Sequence, residues 1–298
     1  MANQLKTILL LGALSVLLIA IGGAISPTML GIMIALAVVM NVSAFFHSDK
    51  LVLRMSRARV IDQHEAPALF GLVQELANRA DLPMPKVAIV PDATPNAFAT
   101  GRNPERAVVA VTEGLLRLTN QRELRGVLAH ELAHVKHRDT LIATIAAATA
   151  AAITSVASIL QWTAIFGGLS HDSDDEGGSS GLGALLMAFL APIGAVMIQA
   201  GISRSREYIA DDYAAKLTND PEGLANALAK LQSYGQQLMQ RGAAVPQPVT
   251  TSLSIVNPLS GLSGRGAGLT NLFSTHPPIE ERIERLMTMA YQRGRVSA

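Results

Sequence analysis

Four windows of this chain are long, apolar and almost free of charge: Thr7 to Ser26, Thr28 to Phe46, Leu141 to Phe166 and Leu182 to Ile202. At a rise of about 1.5 Å per residue, roughly twenty such residues cross about 30 Å of hydrocarbon. The windows therefore predict four transmembrane helices, and this constrains the fold more than any other feature. The third is the weakest in apolarity because it is rich in alanine, although small residues suit close helix packing and Trp162 suits an interfacial belt. The first could instead be read as a secretory signal, with Lys6, an apolar core and the small residues GGAIS. Its core is long for a signal, and a second window follows directly after Pro27.

The basic residues give the orientation. Of the 24 Lys and Arg, one precedes the first window, thirteen lie between His47 and Asp139, and ten lie beyond Ser203. The turn at Pro27 and the acidic, Gly/Ser-rich loop at 167–181 have none. The positive-inside bias then puts both termini and both long polar segments in the cytoplasm, with the loop outside. A net charge of +1 without a long basic run points to no nucleic-acid partner. Cysteine is absent, so there is no disulfide framework, and a metal site must draw on His, Asp or Glu.

The polar segments predict a mixed α+β domain. EAPALFGLVQELANRADL, Glu65 to Leu82, has apolar residues at helical spacing, and the basic stretch LVLRMSRARV before it suits lipid headgroups. KVAIV, NAFATG and RAVVAV are short apolar runs separated by PDATP and RNPE, which predicts strands of a small sheet joined by turns. Asn120 followed by Glu123 has the spacing of a capping box, so the following HELAHVKHRD lies on a helix. Beyond the fourth window, SRSREYIADDYAAKL predicts a helix that buries Ile209, Tyr213, Ala214 and Leu217. Pro221 to Met239 predicts another helix, Arg241 to Thr275 a long irregular loop, and HPPIEERIERL a last helix with prolines in its first turn.

The chemistry concentrates in HELAH. His130 and His134 are four residues apart on one helical face and can reach one metal ion, with Glu131 beside them. His137 cannot join them, because seven residues of helix rise about 10.5 Å. A metzincin pattern needs Gly and His where this chain has His137 and Thr140. A hydrolytic zinc takes three protein ligands and keeps one position open. The best third ligand is Glu207 in REYIAD, with Asp211 one turn later placed to hold the far nitrogen of a ligand histidine. In this scheme Glu131 is the general base. Asp139 could orient a neighbour or be a charge at the membrane border, and His47 and His64 are surface histidines.

HExxH with a distant ExxxD is the gluzincin pattern. Its setting between two pairs of spans resembles the HtpX-type membrane metallopeptidases, relatives of the CAAX prenyl proteases. The resemblance extends over NAFATG, HELAHVKHRD, SRSREYIAD and STHPPIEERIERL, essentially the whole chain. It implies four transmembrane helices with a cytoplasmic zincin-like domain, one zinc ion per chain, and an endopeptidase of the bacterial inner membrane. Its substrates would be unfolded or misassembled membrane proteins, cleaved in stress-linked quality control.

It also implies that His276 and Asn96 contact the substrate backbone or the tetrahedral intermediate; alone, they suit a helix N-cap and a turn. If NAFATG is an exposed edge strand, an unfolded peptide could add beside it with little demand on sequence.

The implied organisation is a paired anchor at 1–46, a catalytic part at 47–139, a second pair of spans at 140–202 and a second catalytic part at 203–298. A CAAX-type processing role would use the same site, although those enzymes usually have more spans. An intramembrane protease would carry HExxH within a span, whereas here Arg122, Glu123, Arg125, Lys136 and Arg138 flank it. A scaffold using zinc structurally would have no need for Glu131 or an open coordination position.

Overall fold

A computed structural model describes residues 27–141, 204–240 and 277–296, with six isolated helical positions between Gly12 and Gly23. The third window beyond Leu141, the fourth window, the loops at 167–181 and 241–275, and His276 lie outside the described residues.

The second window opens helix α1, Pro27–Met55. The helix does not stop at Phe46 but continues through His47, Asp49 and Lys50, so the boundary expected between anchor and catalytic part falls inside one continuous helix. Among the described residues no helix is long and apolar enough to cross a membrane. Even so, α1 leaves Ile32, Ile34, Leu36, Val38, Val39 and Val42 exposed, an apolar surface that water does not favour. Near its end Val52 is fully buried.

Four strands form one mixed sheet in the order β1-β2-β4-β3. They are β1 (Arg59–Ile61), β2 (Lys86–Val90), β3 (Ala97–Thr100) and β4 (Val108–Thr112). The central pair β2/β4 is parallel, in register from Lys86↔Val108 to Val90↔Thr112, and the outer pairs are antiparallel. The three apolar runs become β2, β3 and β4. Strand β1 comes from the basic stretch expected at the headgroups: backbone pairing to Val87–Ile89 decides its conformation, and only Ile61 of the three is buried.

Period-two alternation divides the strand residues between two cores. Val87, Ala97, Ala99, Val109 and Val111 join the main core with the helices, while Ala88, Val90, Phe98, Val108 and Ala110 share a smaller cluster with Val52 of α1. The end of the apolar helix is thereby fastened to the back of the sheet.

Helix α2 (Pro67–Arg79) covers the main-core face with Leu69, Leu72, Val73 and Leu76. A short helix α3, Glu113–Leu118, follows β4 directly and begins where the Thr112 hydroxyl accepts from the Leu115 amide. Helix α4 (Gln121–Lys136) begins at the expected capping box: Asn120 Oδ1 accepts from the Glu123 amide and the Glu123 carboxylate from the Asn120 amide, both at 2.9 Å. It packs against β3 and against helices α5 (Arg204–Thr218) and α6 (Pro221–Gln240). The approach to α6 is close enough to require glycine at position 126, where a Cβ would lie 2.7 Å from the Leu224 amide nitrogen. The last helix, α7 (Ile279–Val296), starts after Pro277 and Pro278 and packs on α5 and α6.

On α5 the expected face is met only in part: Ala214 is buried and Leu217 packs on the main core, but Ile209 is 51% exposed, and Glu207, Ala210, Asp211 and Ala215 are buried in addition. The inward face is chosen by what it meets on α4, and there it meets two histidines.

Candidate metal centre and active site

Helix α4 presents His130, Glu131 and His134 towards α5, while Val127, Leu128, Leu132 and Val135 on the same helix are buried in the main core. His130 is 1% exposed and Glu131 4%. Across from them α5 brings Glu207, 5% exposed, to the same point. The two Nε2 atoms are 3.2 Å apart, and carboxylate oxygens of Glu207 lie 3.5 Å from Nε2 of each histidine.

Bonds of about 2.0–2.2 Å in tetrahedral array put two donors on one zinc ion roughly 3.4 Å apart, so these spacings fit a shared zinc with one position left over. The three residues group as a possible metal site. His137 is exposed at the end of α4, edge-on to Tyr213, away from this cluster.

A layer of carboxylates stands behind the donors. Asp211 Oδ1 lies 2.9 Å from Nδ1 of His130, and Asp139 Oδ2 lies 3.4 Å from Nδ1 of His134. Each carboxylate is in turn met by an arginine. Arg282 of α7, fully buried, donates from Nε and Nη2 to Asp211 at 2.7 Å each, and its Nη1 lies 3.5 Å from Glu207. Arg206 Nη1 donates to Asp139 at 3.2 Å.

These contacts set the ionisation. Burial opposes charge on His130, but Asp211 and Glu207 outweigh it and push the metal-free imidazole up to about 9. Burial likewise opposes ionisation of Asp211, yet the Arg282 guanidinium and His130 hold its carboxyl below the usual range. Burial is the chief reason the Glu131 carboxyl is pushed up, only partly offset by the two histidines and by the Ala99 amide, which donates to it. A carboxylate with a raised pKa is a better proton acceptor at neutral pH.

Asn96 is buried at the start of β3, where its carbonyl accepts from the Thr112 amide at 2.9 Å. Among the described residues strand β3 is the edge of the sheet, as an added peptide requires, although Ala97, Phe98, Ala99 and Thr100 are themselves buried, with α4 packed beside them. The structure thus gathers His130, Glu131, His134, Glu207 and Asp211 at one point, sets Asn96 immediately before the strand that reaches Glu131, and leaves His276 outside the described residues.

Arg282 is the site residue that sequence reasoning did not single out. A signal for it exists: Arg282 stands three residues after Ile279 and four before Leu286, within the apolar stripe of α7, and a cation in a buried stripe needs a buried anion.

Two histidines and a glutamate spaced for one ion, carboxylates fixing both imidazoles, and a buried glutamate adjoining the first ligand define a zinc metallopeptidase. The chain belongs to peptidase family M48, whose family model matches residues 63–290. It is 52% identical over 288 residues to a "Protease HtpX homolog" of Desulforapulum autotrophicum, covering 96% of this chain and 90% of that protein. A protein of the same description from Syntrophobacter fumaroxidans is 52% identical over 291 residues, covering 97% and 100%, and one from Thermococcus kodakarensis is 48% identical, covering 97% of each chain. Among solved structures, the crystal structure of S. mikatae Ste24p aligns with a TM-score of 0.48 at 18% identity over 96% of this chain and 65% of that one, a likeness too loose to carry an argument.

Proposed function

We propose that this metallopeptidase is a multi-pass protein of the bacterial inner membrane that cleaves misfolded or damaged membrane proteins on the cytoplasmic side. The observation that carries the proteolytic core of this reading is the trio of donor atoms 3.2–3.5 Å apart with the buried Glu131 adjoining them. In this reading His130, His134 and Glu207 hold one zinc ion. When bound there, zinc supplies Lewis acidity to the scissile carbonyl and lowers the pKa of a water molecule.

The chain's own groups do the rest. Glu131 takes the proton of the attacking water and delivers it to the leaving amine. Asp211 keeps the proton of His130 on Nδ1, so that Nε2 has its lone pair free. The register of β3 on β4 turns the backbone groups of Ala97 and Ala99 away from β4, and the Ala99 amide already holds Glu131. An extended substrate lies along that edge, with Asn96 and His276 contacting its backbone near the reacting carbonyl. Backbone pairing of this kind makes little demand on side chains and suits varied unfolded substrates.

The membrane part of the reading rests on the four apolar windows, the distribution of basic residues and the exposed apolar residues of α1. It places both termini and the site in the cytoplasm, with anchors at 1–46 and 140–202 and catalytic parts at 47–139 and 203–298. The test uses full-length wild type and Glu131→Gln purified in detergent, stripped with chelator and resupplied with zinc, with unfolded casein as substrate. Wild type regains cleavage on zinc addition and Glu131→Gln does not; equal cleavage by both sinks the assignment.

A further inference from the structure

We infer that Asp139 is a positioning residue for the metal centre: it holds the far nitrogen of His134, and Arg206 fastens it to the helix that carries Glu207. The inference rests on the reading of His130, His134 and Glu207 as zinc ligands.

The backbone first delivers the carboxylate. Helix α4 ends in a Schellman turn, with the Arg138 amide donating to the Val135 carbonyl at 3.1 Å and the Asp139 amide to the His134 carbonyl at 2.9 Å. Such a turn needs a left-handed residue, usually glycine, and here Arg138 occupies it at φ 59°. The reversal brings Asp139 back beside the ligand one turn earlier, with Oδ2 3.4 Å from His134 Nδ1.

The second oxygen of the same carboxylate does separate work. Arg206 Nη1 donates to Asp139 Oδ1 at 3.2 Å, and the side chains of Arg206 and Asp139 are only 14% and 10% exposed. Arg206 immediately precedes Glu207, so Asp139 connects the helix of one ligand to the helix of another. A neutral imidazole carries one proton, and a carboxylate at Nδ1 draws that proton there and leaves Nε2 as the donor atom. His130 has the same arrangement built from Asp211 and Arg282. Each histidine thus has its own carboxylate, and each carboxylate its own guanidinium.

The test measures zinc affinity of the full chain in detergent by competition with a chromophoric chelator, alongside the melting temperature of the metal-free protein. Asp139→Ala weakens zinc binding about 10- to 100-fold, the usual effect of losing an outer partner of a ligand histidine. Arg206→Gln weakens it less, and the double variant binds no more weakly than Asp139→Ala alone, because Arg206 acts through Asp139. Asp212→Asn, a half-exposed carboxylate near Arg285, leaves affinity unchanged.

Zinc affinity of Asp139→Ala within twofold of wild type, or losses that multiply in the double variant, overturns the inference. Should Asp139→Ala fail to fold, Arg206→Gln decides alone, and unchanged affinity there overturns it. A wild type that binds no zinc removes the underlying reading and this inference together, and is recognised because every variant then matches it.

Discussion

Arg282 and Asp211 lie wholly within the protein, joined by two hydrogen bonds of 2.7 Å each, and Asp211 in turn abuts the far nitrogen of His130. A buried pair of this kind adds little net stability compared with apolar residues, but removing one partner strands the other charge.

Arg282→Ala is therefore expected to lose about 3–5 kcal/mol of stability, read by chemical denaturation in detergent. Arg282→Lys keeps the charge but cannot make the two-pronged contact, so its loss is intermediate. Wild-type stability in Arg282→Ala would show that Asp211 is compensated from elsewhere.

Proton and metal compete for His130. In the metal-free folded chain its pKa is raised to about 9, above the 6.5 of an unperturbed histidine. A raised pKa means that the protonated group stabilises the metal-free fold fully below about 6.5, and this contribution is lost as pH rises through about 9. Zinc must displace that proton. Between about pH 6.5 and 9 apparent zinc affinity should rise with pH by about tenfold per unit, then level off. Isothermal titration in buffers of different ionisation enthalpy reads the released proton directly; pH-independent affinity would contradict the scheme.

Gly126 separates two opposing effects. On helix propensity alone, Gly126→Ala would stabilise α4 by about 1 kcal/mol. Packing predicts the opposite sign, because the new Cβ would meet the Leu224 backbone at 2.7–2.8 Å and force α4 and α6 apart. Overpacking costs about 1–3 kcal/mol, so a net loss is expected in thermal melting. A gain would show that the two helices can separate freely.

Much of this arrangement is legible in the residues, and the exceptions have physical causes. The apolar runs KVAIV, NAFATG and RAVVAV lie in strands, and Asn120 with Glu123 starts α4, because alternation and capping are local signals. Strand β1 is not local: its three residues are extended because β2 offers them a partner. On α5 Ala214 is inward as its spacing predicts, but Ile209, which apolarity marks as inward, is exposed, because the histidines of α4 draw Glu207 and Asp211 to the inner face. Arg282 is hard to read as buried because arginine is ordinarily an exposed residue, and only its place in the apolar stripe of α7 marks it.

A single zinc ion on His130, His134 and Glu207 would be revealed by the zinc content and affinity of purified full-length wild type and Glu207→Gln, each loaded and then dialysed against a weak chelator. Wild type should retain one zinc per chain, while Glu207→Gln, its fold checked by circular dichroism, should lose most of it. Glu207→Gln retaining a full equivalent at wild-type affinity would contradict the account.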